Sequence, residues 1–209
     1  MNQSYMINDQ TIKRRAIGYE SFWGRVPDVV GHQTDQEVPH IDVYRLPKVQ
    51  ADVPMGNTVV YITGGMSDLP MPNTEDLEDA SRYIEITAYA NDPIMTDSGK
   101  ADFVAWACHW LAHYPFRENT YFLPGQTFDW GGPIIPGSHM EGFYFANTPF
   151  VDRLALSQAS VTGKTFIHVV PISRAEIDLK LKKGTDCLLK LFEKKALEPF
   201  FDLRRKSLC

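Results

Sequence analysis

The segment Val59-Val60-Tyr61-Ile62-Thr63-Gly64-Gly65-Met66-Ser67-Asp68-Leu69 contains a strand followed by the turn that ends it. Its first four residues are all apolar, which is typical of a strand covered on both faces, so we expect it at the centre of a sheet. Gly64 and Gly65 suit a tight turn in which backbones approach closely or φ is positive. Ser67 and Asp68 can hydrogen-bond to nearby amides and hold that turn.

The rest of the chain predicts further strands around this one. Four other segments are rich in β-branched and aromatic residues and have apolar residues at alternating positions, as half-buried strands do: 41–44, 83–87, 142–145 and 166–170. Helices are interspersed irregularly among them, which favours an α+β fold over a regular parallel βαβ array. We therefore predict a mixed, mostly antiparallel sheet flanked by about three helices, in a single domain over residues 1–209.

Three segments have helical periodicity. The first covers about residues 10–22 and the second about residues 100–114, where Pro115 is expected to stop it. In the second, apolar residues repeat at helical spacing and are expected to pack across the sheet: Phe103, Trp106, Ala107, Trp110 and Leu111. The third begins with a capping box, Ser173 and Glu176, and Gly184 is expected to split or kink it.

Composition places the chain among ordinary globular proteins, with 44% hydrophobic and 22% charged residues. No window approaches the roughly eighteen consecutive apolar residues that a membrane helix needs, and the N-terminal residues do not resemble a secretory signal. Cys108, Cys187 and Cys209 are scattered, without a C-x-x-C pair, which argues against a disulfide scaffold and a structural zinc site. We therefore expect reduced thiols and a cytoplasmic location.

Charge is distributed unevenly along the chain. The net charge of −5 does not suggest a nucleic-acid binder. Residues 1–173 contain 11 basic and 20 acidic side chains, a net −9, whereas residues 174–209 contain 10 basic and 6 acidic ones, a net +4. An acidic body could attract a basic partner by long-range steering, or it could serve solubility alone.

A search for catalytic groups finds no complete set. His109 and His113 lie one helical turn apart, but two histidines do not complete a zinc site. His40 and Asp42 alternate on a strand and form only a pair. Gly163-Lys164-Thr165 lacks the upstream glycine of a P-loop, and no G-x-S-x-G elbow is present. The sequence therefore predicts no catalytic residue, no metal and no cofactor, which favours a binding protein over an enzyme.

Glu85 is a charged residue within an apolar strand. If it is buried it needs a partner, and our hypothesis is a bidentate ion pair with Arg204 or Arg205. The alternative is that Glu85 points to water.

The order of several segments resembles the suppressor-of-fused family over nearly the whole chain. The segments are His40-Ile41-Asp42-Val43-Tyr44, Tyr61 to Leu69, Tyr83-Ile84-Glu85-Ile86, the helix ending in Tyr114-Pro115, Glu118-Asn119-Thr120-Tyr121-Phe122, Gly125-Gln126-Thr127-Phe128-Asp129-Trp130, Pro171 to Ile177, Gly184 to Leu189 and Asp202-Leu203-Arg204-Arg205-Lys206-Ser207. The resemblance implies a fold like the N-terminal domain of that family.

The same resemblance implies a non-enzymatic protein that binds another protein. Animal members bind Gli transcription factors by gripping an extended peptide as an added strand between two domains, whereas this chain resembles only the first domain. Stand-alone, single-domain members resemble the bacterial form of the family, which is read as immunity proteins that neutralise toxins, often nucleases, of polymorphic toxin systems. We expect the partner to contact Tyr61, Ser67 and Asp68, with Asp129 and Trp130 as neighbours.

Two other functions stay open at this point. One is a metal-dependent hydrolase that uses His109, His113 and an unidentified carboxylate. The other is a peptide-binding regulator or scaffold, related to the Gli-binding role of animal members but without a toxin partner. The sequence predicts neither nucleic-acid nor membrane binding and leaves the oligomeric state open.

Overall fold

A seven-stranded mixed sheet organises the protein. The computed structural model describes residues 9–23, 27–32, 37–46, 58–91, 102–147, 165–198 and 200–209. The strands are β1 (Asp28–Gly31), β2 (Asp42–Leu46), β3 (Val59–Gly64), β4 (Ile84–Ala90), β5 (Thr127–Asp129), β6 (Met140–Asn147) and β7 (Thr165–Ser173). Their order in the sheet is β1-β2-β3-β4-β7-β6-β5, and only β4 and β7 pair in parallel. The predicted α+β fold with a mostly antiparallel sheet is confirmed.

The described residues form more helices than the three predicted. They are α1 (Asp9–Trp23), α2 (Asp79–Arg82), α3 (Phe103–Glu118), α4 (Arg174–Lys183) and α5 (Thr185–Lys194). The four residues of α2 are too few to show a helical period in the sequence. The third predicted helix is split as expected, because Gly184 separates α4 from α5 with φ of 86°. The capping box is also confirmed, since the Ser173 hydroxyl accepts a hydrogen bond from the Glu176 amide and the Glu176 carboxylate accepts one from the Ser173 amide.

The end of α3 differs from the prediction. Pro115 lies inside the helix, which continues to Glu118. A proline removes one backbone donor but leaves its own carbonyl free to accept, and the amides of both Asn119 and Thr120 donate to the Pro115 carbonyl. Asn119 then ends the helix in the left-handed conformation, with φ of 52°. At the other end, the Asp102 side chain caps α3 by accepting from the Val104 amide at 3.1 Å.

The sheet is covered on both faces. On one face α3 lies against β1 to β4 and shares the main hydrophobic core with Val59 and Tyr61 of β3. On the other face, Val60 and Ile62 pack with Tyr19 of α1, and α4 and α5 cover part of β6 and β7. Because its side chains alternate between two buried faces, β3 is apolar at four consecutive positions. It is an inner strand with a neighbour on each side, as predicted, although β4 is the middle strand of the seven. None of the helices formed by the described residues has the length and apolar character needed to cross a membrane.

Candidate functional site

The turn after β3 is closed by a contact that only glycine permits. Gly65 has φ of 118°, and a Cβ atom at this position would lie 2.0 Å from the His40 carbonyl oxygen. The chain then forms a single 3₁₀ turn over Met66–Asp68, in which the Asp68 amide donates to the Gly65 carbonyl. The turn after β3 therefore lies directly against the residues that lead into β2.

Glu85 of β4 holds this turn from inside the protein. It is fully buried, and its carboxylate accepts hydrogen bonds from the Gly65 amide at 3.0 Å, the Ser67 amide at 3.2 Å and the Ser67 hydroxyl at 2.6 Å. The Thr63 hydroxyl donates to its other oxygen at 2.7 Å. Four donors on one carboxylate fix the strand and the turn as a unit.

The structure does not bring the predicted arginine partners to Glu85. Arg205 instead forms a bidentate ion pair with Glu176 at the start of α4, with N–O distances of 2.8 and 2.5 Å. Arg204 is exposed, and its backbone amide donates to Asp202. Sequence reasoning recognised that a buried glutamate needs donors, but it did not anticipate that backbone amides and hydroxyls supply them.

The ion pair of Glu176 and Arg205 attaches the C-terminal residues to α4. Burial of Glu176 opposes its ionisation, but the Arg205 guanidinium and the amides of Ser173 and Leu208 outweigh burial and lower the pKa of the Glu176 carboxyl. A carboxyl whose pKa is lower in the folded state stabilises the fold above its unfolded pKa. This contribution disappears as the pH falls through the folded-state pKa.

Glu176→Gln is expected to lower the free energy of unfolding by about 2 kcal/mol at pH 7, because the charge-assisted hydrogen bonds to Arg205 weaken. The difference from the wild type should stay constant as the pH is lowered from 7 to about the ordinary value of 4.5, and it should shrink at lower pH, where the wild-type carboxyl also becomes neutral. Urea unfolding at a series of pH values measures this. Glu193→Gln, at an exposed position on α5, is the matched control, and an equal difference at every pH would contradict the expectation.

Arg15 of α1 joins the helix to the turn after β3. Its side chain is buried and donates to the Gly64 carbonyl at 2.7 Å, to Asp42 at 3.3 Å and to Asp68 at 2.5 Å. Asp68 is 44% exposed, whereas the Asp42 side chain is fully buried. Sequence reasoning missed Arg15. Its spacing could have identified it, because Arg15 lies four residues before Tyr19 and both side chains are therefore on the buried face of α1.

Tyr61 is a buried link between the sheet and α3. Its hydroxyl donates a hydrogen bond to the carboxylate of Asp102, the residue that caps α3. Burial raises the pKa of the Tyr61 hydroxyl, and the hydrogen bond to Asp102 raises it further, so the hydroxyl stays a protonated donor. Tyr61 and Ser67 are both buried, so among the residues expected around this turn only Asp68 reaches the surface.

Asp129 and Trp130 lie in a different part of the sheet. Three strands separate β3 from β5, which at ~4.8 Å per step makes roughly 19 Å across the sheet. Asp129 is exposed and forms a bidentate ion pair with Arg174, with distances of 2.5 and 2.6 Å. The guanidinium and the Gly131 amide lower the pKa of the Asp129 carboxyl. The five residues expected to contact a partner therefore do not form one surface.

An aromatic patch, formed by Phe103, Trp106 and Trp130, lies beside β5. Trp106 was expected in the core, but its side chain is 44% exposed. It packs against Trp130 with ring centroids 6.0 Å apart and against Phe103 at 5.3 Å. Trp110, one turn further along α3, lies 4.8 Å from Trp130 and connects the patch to the core.

His109 and His113 do not form a metal centre with a third described residue. Their rings lie 4.7 Å apart, and His113 is buried with its Nδ1 atom 3.6 Å from the Glu37 carboxylate. That carboxylate accepts two hydrogen bonds from Arg117, each of 2.5 Å. Among the described residues, the metal-ligating side chains that do converge lie elsewhere, and that group includes neither His109 nor His113.

The arrangement of segments predicted from the sequence agrees with comparisons to known proteins. A family model for the suppressor of fused protein (SUFU) matches residues 37–206. This chain belongs to the SUFU family. The sequence segments that resemble the family lie almost entirely within the matched residues. They extend from β2 and the turn after β3 to α4 and the C-terminal residues. A comparison with curated proteins gives no match.

Solved structures show the same SUFU fold. A SUFU homolog from Neisseria gonorrhoeae FA 1090 superposes with a TM-score of 0.60 at 17% identity, with 96% of each chain covered. A chain of the Sufu–Fu complex superposes with a TM-score of 0.63 at 15% identity, covering 95% of this chain and 92% of that chain. At these identities the likeness establishes the fold.

Proposed function

We propose that this SUFU domain is a non-catalytic protein-binding domain that acts as an immunity-type protein and neutralises a partner toxin by binding it. The aromatic patch beside β5 is the observation that carries the proposal. Membership of the SUFU family supports it, as does the likeness to a chain of the Sufu–Fu complex, a protein assembly. The whole chain is proposed to work as one domain.

The aromatic patch has the properties of an interface anchor. Tryptophan is enriched among residues that dominate binding energy, because it buries a large area and carries one polar group. Trp106 exposes 44% of its surface while its ring contacts Phe103 and Trp130. An aromatic side chain already held in place loses little conformational freedom when a partner covers it.

The outer edge of β5 adds backbone groups beside the patch. The Phe145 amide donates to the backbone carbonyl of Gln126, and the Trp130 amide donates to the backbone carbonyl of Glu141. Both hydrogen bonds join β6 to the β5 side of the ladder. Because hydrogen-bonded and non-hydrogen-bonded pairs alternate in an antiparallel ladder, the backbone groups of Thr127 and Asp129 point away from β6. No strand of the described residues pairs with this side of β5. An extended segment of a partner could add there by β-augmentation.

Charge supports a basic partner such as a nuclease. The net −9 of residues 1–173 attracts a cationic surface over a distance of about one Debye length. Affinity for the toxin is therefore expected to fall as the salt concentration rises from about 50 to 500 mM. Binding that is independent of salt would contradict a nuclease-type electrostatic contact.

Trp106→Ala is expected to weaken partner binding by roughly 30-fold, a loss of about 2 kcal/mol, because it removes the exposed anchor of the patch. The probe is the purified product of the reading frame adjacent to the gene of this chain, which the proposal expects to be a toxin fragment. Calorimetry measures its affinity, and survival of cells that produce the fragment together with each variant measures neutralisation.

Leu181→Ala is the matched control, because Leu181 is an exposed apolar residue on α4, on the face of the sheet opposite α3. It should leave both affinity and survival unchanged. A toxin fragment that stays active in the presence of excess wild-type protein would contradict the immunity proposal. Equal loss in both variants would contradict the assignment of the patch.

A further inference from the structure

Three metal-ligating side chains converge between the end of β1 and the start of β2. The Nδ1 atom of His32 lies 2.7 Å from Oδ1 of Asp42, and Nε2 of His40 lies 3.2 Å from the same oxygen. One ligand atom from each of the three residues lies within 4.8 Å of the others. The sequence pattern showed only His40 and Asp42 as a pair, and β1 brings in His32 as the third member.

The donor types point to a divalent transition metal. Imidazole nitrogen suits zinc and its neighbours in the first transition row, whereas magnesium and calcium prefer oxygen ligands throughout. Two histidines and a carboxylate are also the protein ligands of several zinc sites that keep a fourth position open. In a tetrahedral site with bonds of about 2.05 Å, ligand atoms lie roughly 3.3 Å apart. The Nε2 atom of His40 therefore lies within about 0.1 Å of the required separation from Oδ1 of Asp42, and the Nδ1 atom of His32 is about 0.6 Å closer than required.

The surroundings of Asp42 favour a cation at this position. The Asp42 side chain is fully buried, and the guanidinium of Arg15 donates to its other oxygen, Oδ2. That guanidinium is shared with Asp68, so one arginine charge serves two carboxylates. Arg15 also fixes the orientation of the Asp42 carboxylate, as outer-shell donors do in metal sites. The Oδ1 atom is thereby directed to the histidines.

We propose that His32 Nδ1, His40 Nε2 and Asp42 Oδ1 bind a divalent transition-metal ion, with zinc as the ion that best fits three protein ligands. The fourth position is open to water or to a donor from a partner. The ion joins the end of β1 to the start of β2, next to the turn after β3. This inference goes beyond the proposed function and does not depend on the toxin. The side chain of His32 is 48% exposed, which gives an ion a path from solvent.

The test uses the full chain without a polyhistidine tag, after removal of bound metal with a chelator. Titration calorimetry with zinc chloride is expected to show one ion per chain and with magnesium chloride none. Cobalt(II) should give the visible absorption of a low-symmetry site with nitrogen ligands. His32→Ala is expected to weaken zinc binding at least tenfold, and zinc should raise the melting temperature of the wild type but not of this variant.

His32→Ala is the decisive variant because the side chain is half-exposed and lies just after β1, so the fold tolerates its loss. His139→Ala, which removes an exposed histidine far from the group in sequence, is the matched control and should bind zinc like the wild type. No zinc binding by the wild type, or the same affinity in His32→Ala, would overturn the proposal and leave a hydrogen-bonded group of two histidines and an aspartate. Neither result depends on the partner, so the binding function is tested separately.

Discussion

Arg15→Met is expected to lower the free energy of unfolding by roughly 3–5 kcal/mol, because it removes the guanidinium that is paired with the buried carboxylate of Asp42. Methionine keeps much of the length and apolar volume of the arginine stem, so the loss reports on the guanidinium. The same substitution removes the hydrogen bond to the Gly64 carbonyl and the ion pair that holds Asp68. Urea unfolding followed by tryptophan fluorescence measures the change.

Arg14→Met is the matched control for this experiment. Arg14 is the preceding residue of α1 and is exposed, so its replacement should change stability by less than about 0.5 kcal/mol. A double-mutant cycle with Asp42→Asn then separates the pair from its surroundings. The two substitutions should be less than additive, because each removes the same ion pair. Strict additivity would show that Arg15 stabilises the protein through its other contacts.

Glu85→Leu is expected to lower the free energy of unfolding by about 4 kcal/mol or more. Leucine leaves the amides of Gly65 and Ser67 and two hydroxyls without their buried acceptor, and each unsatisfied donor costs about 1–3 kcal/mol. Glu85→Gln should have a smaller effect, because the amide oxygen still accepts from part of this set. The order wild type, glutamine, leucine in urea unfolding therefore tests whether acceptance of hydrogen bonds is the role of Glu85.

Glu75 offers the control for both substitutions, since it is exposed in the acidic loop after β3. Leucine or glutamine at that position should change stability by less than about 0.5 kcal/mol. If Glu85→Gln destabilises the protein as much as Glu85→Leu, the negative charge and not the acceptor geometry is the dominant contribution.

The main strands and helices of the fold could be predicted from the sequence, because each depends on a local periodicity of apolar residues. Four apolar residues at the start of β3 predicted burial on both faces, and the Ser173 and Glu176 capping box marked the start of α4. The short edge strands β1 and β5 were missed, since four and three residues are too few to show an alternating pattern.

The contacts of the polar residues were not readable, because they join elements that are distant in the chain. Arg15 and Asp68 are separated by 53 positions, and Arg205 and Glu176 by 29. The sequence shows that a buried charge needs a partner but not which partner the fold supplies. The exposure of Trp106 has the same origin: it faces Trp130 just beyond the edge strand β5, where the described sheet ends.

The short length of β5 limits non-specific pairing of other strands with its edge. A three-residue edge offers a partner only a few main-chain hydrogen bonds, each with a net value of about 0.5–1.5 kcal/mol. Any extended segment that pairs with β5 gains only this small free energy, and so does a second copy of this chain. The short edge therefore disfavours edge-to-edge aggregation. On the binding mode proposed above, selectivity would come from how a partner's side chains fit around Trp106 and Trp130, and the partner would be recognised more by its side chains than by its backbone.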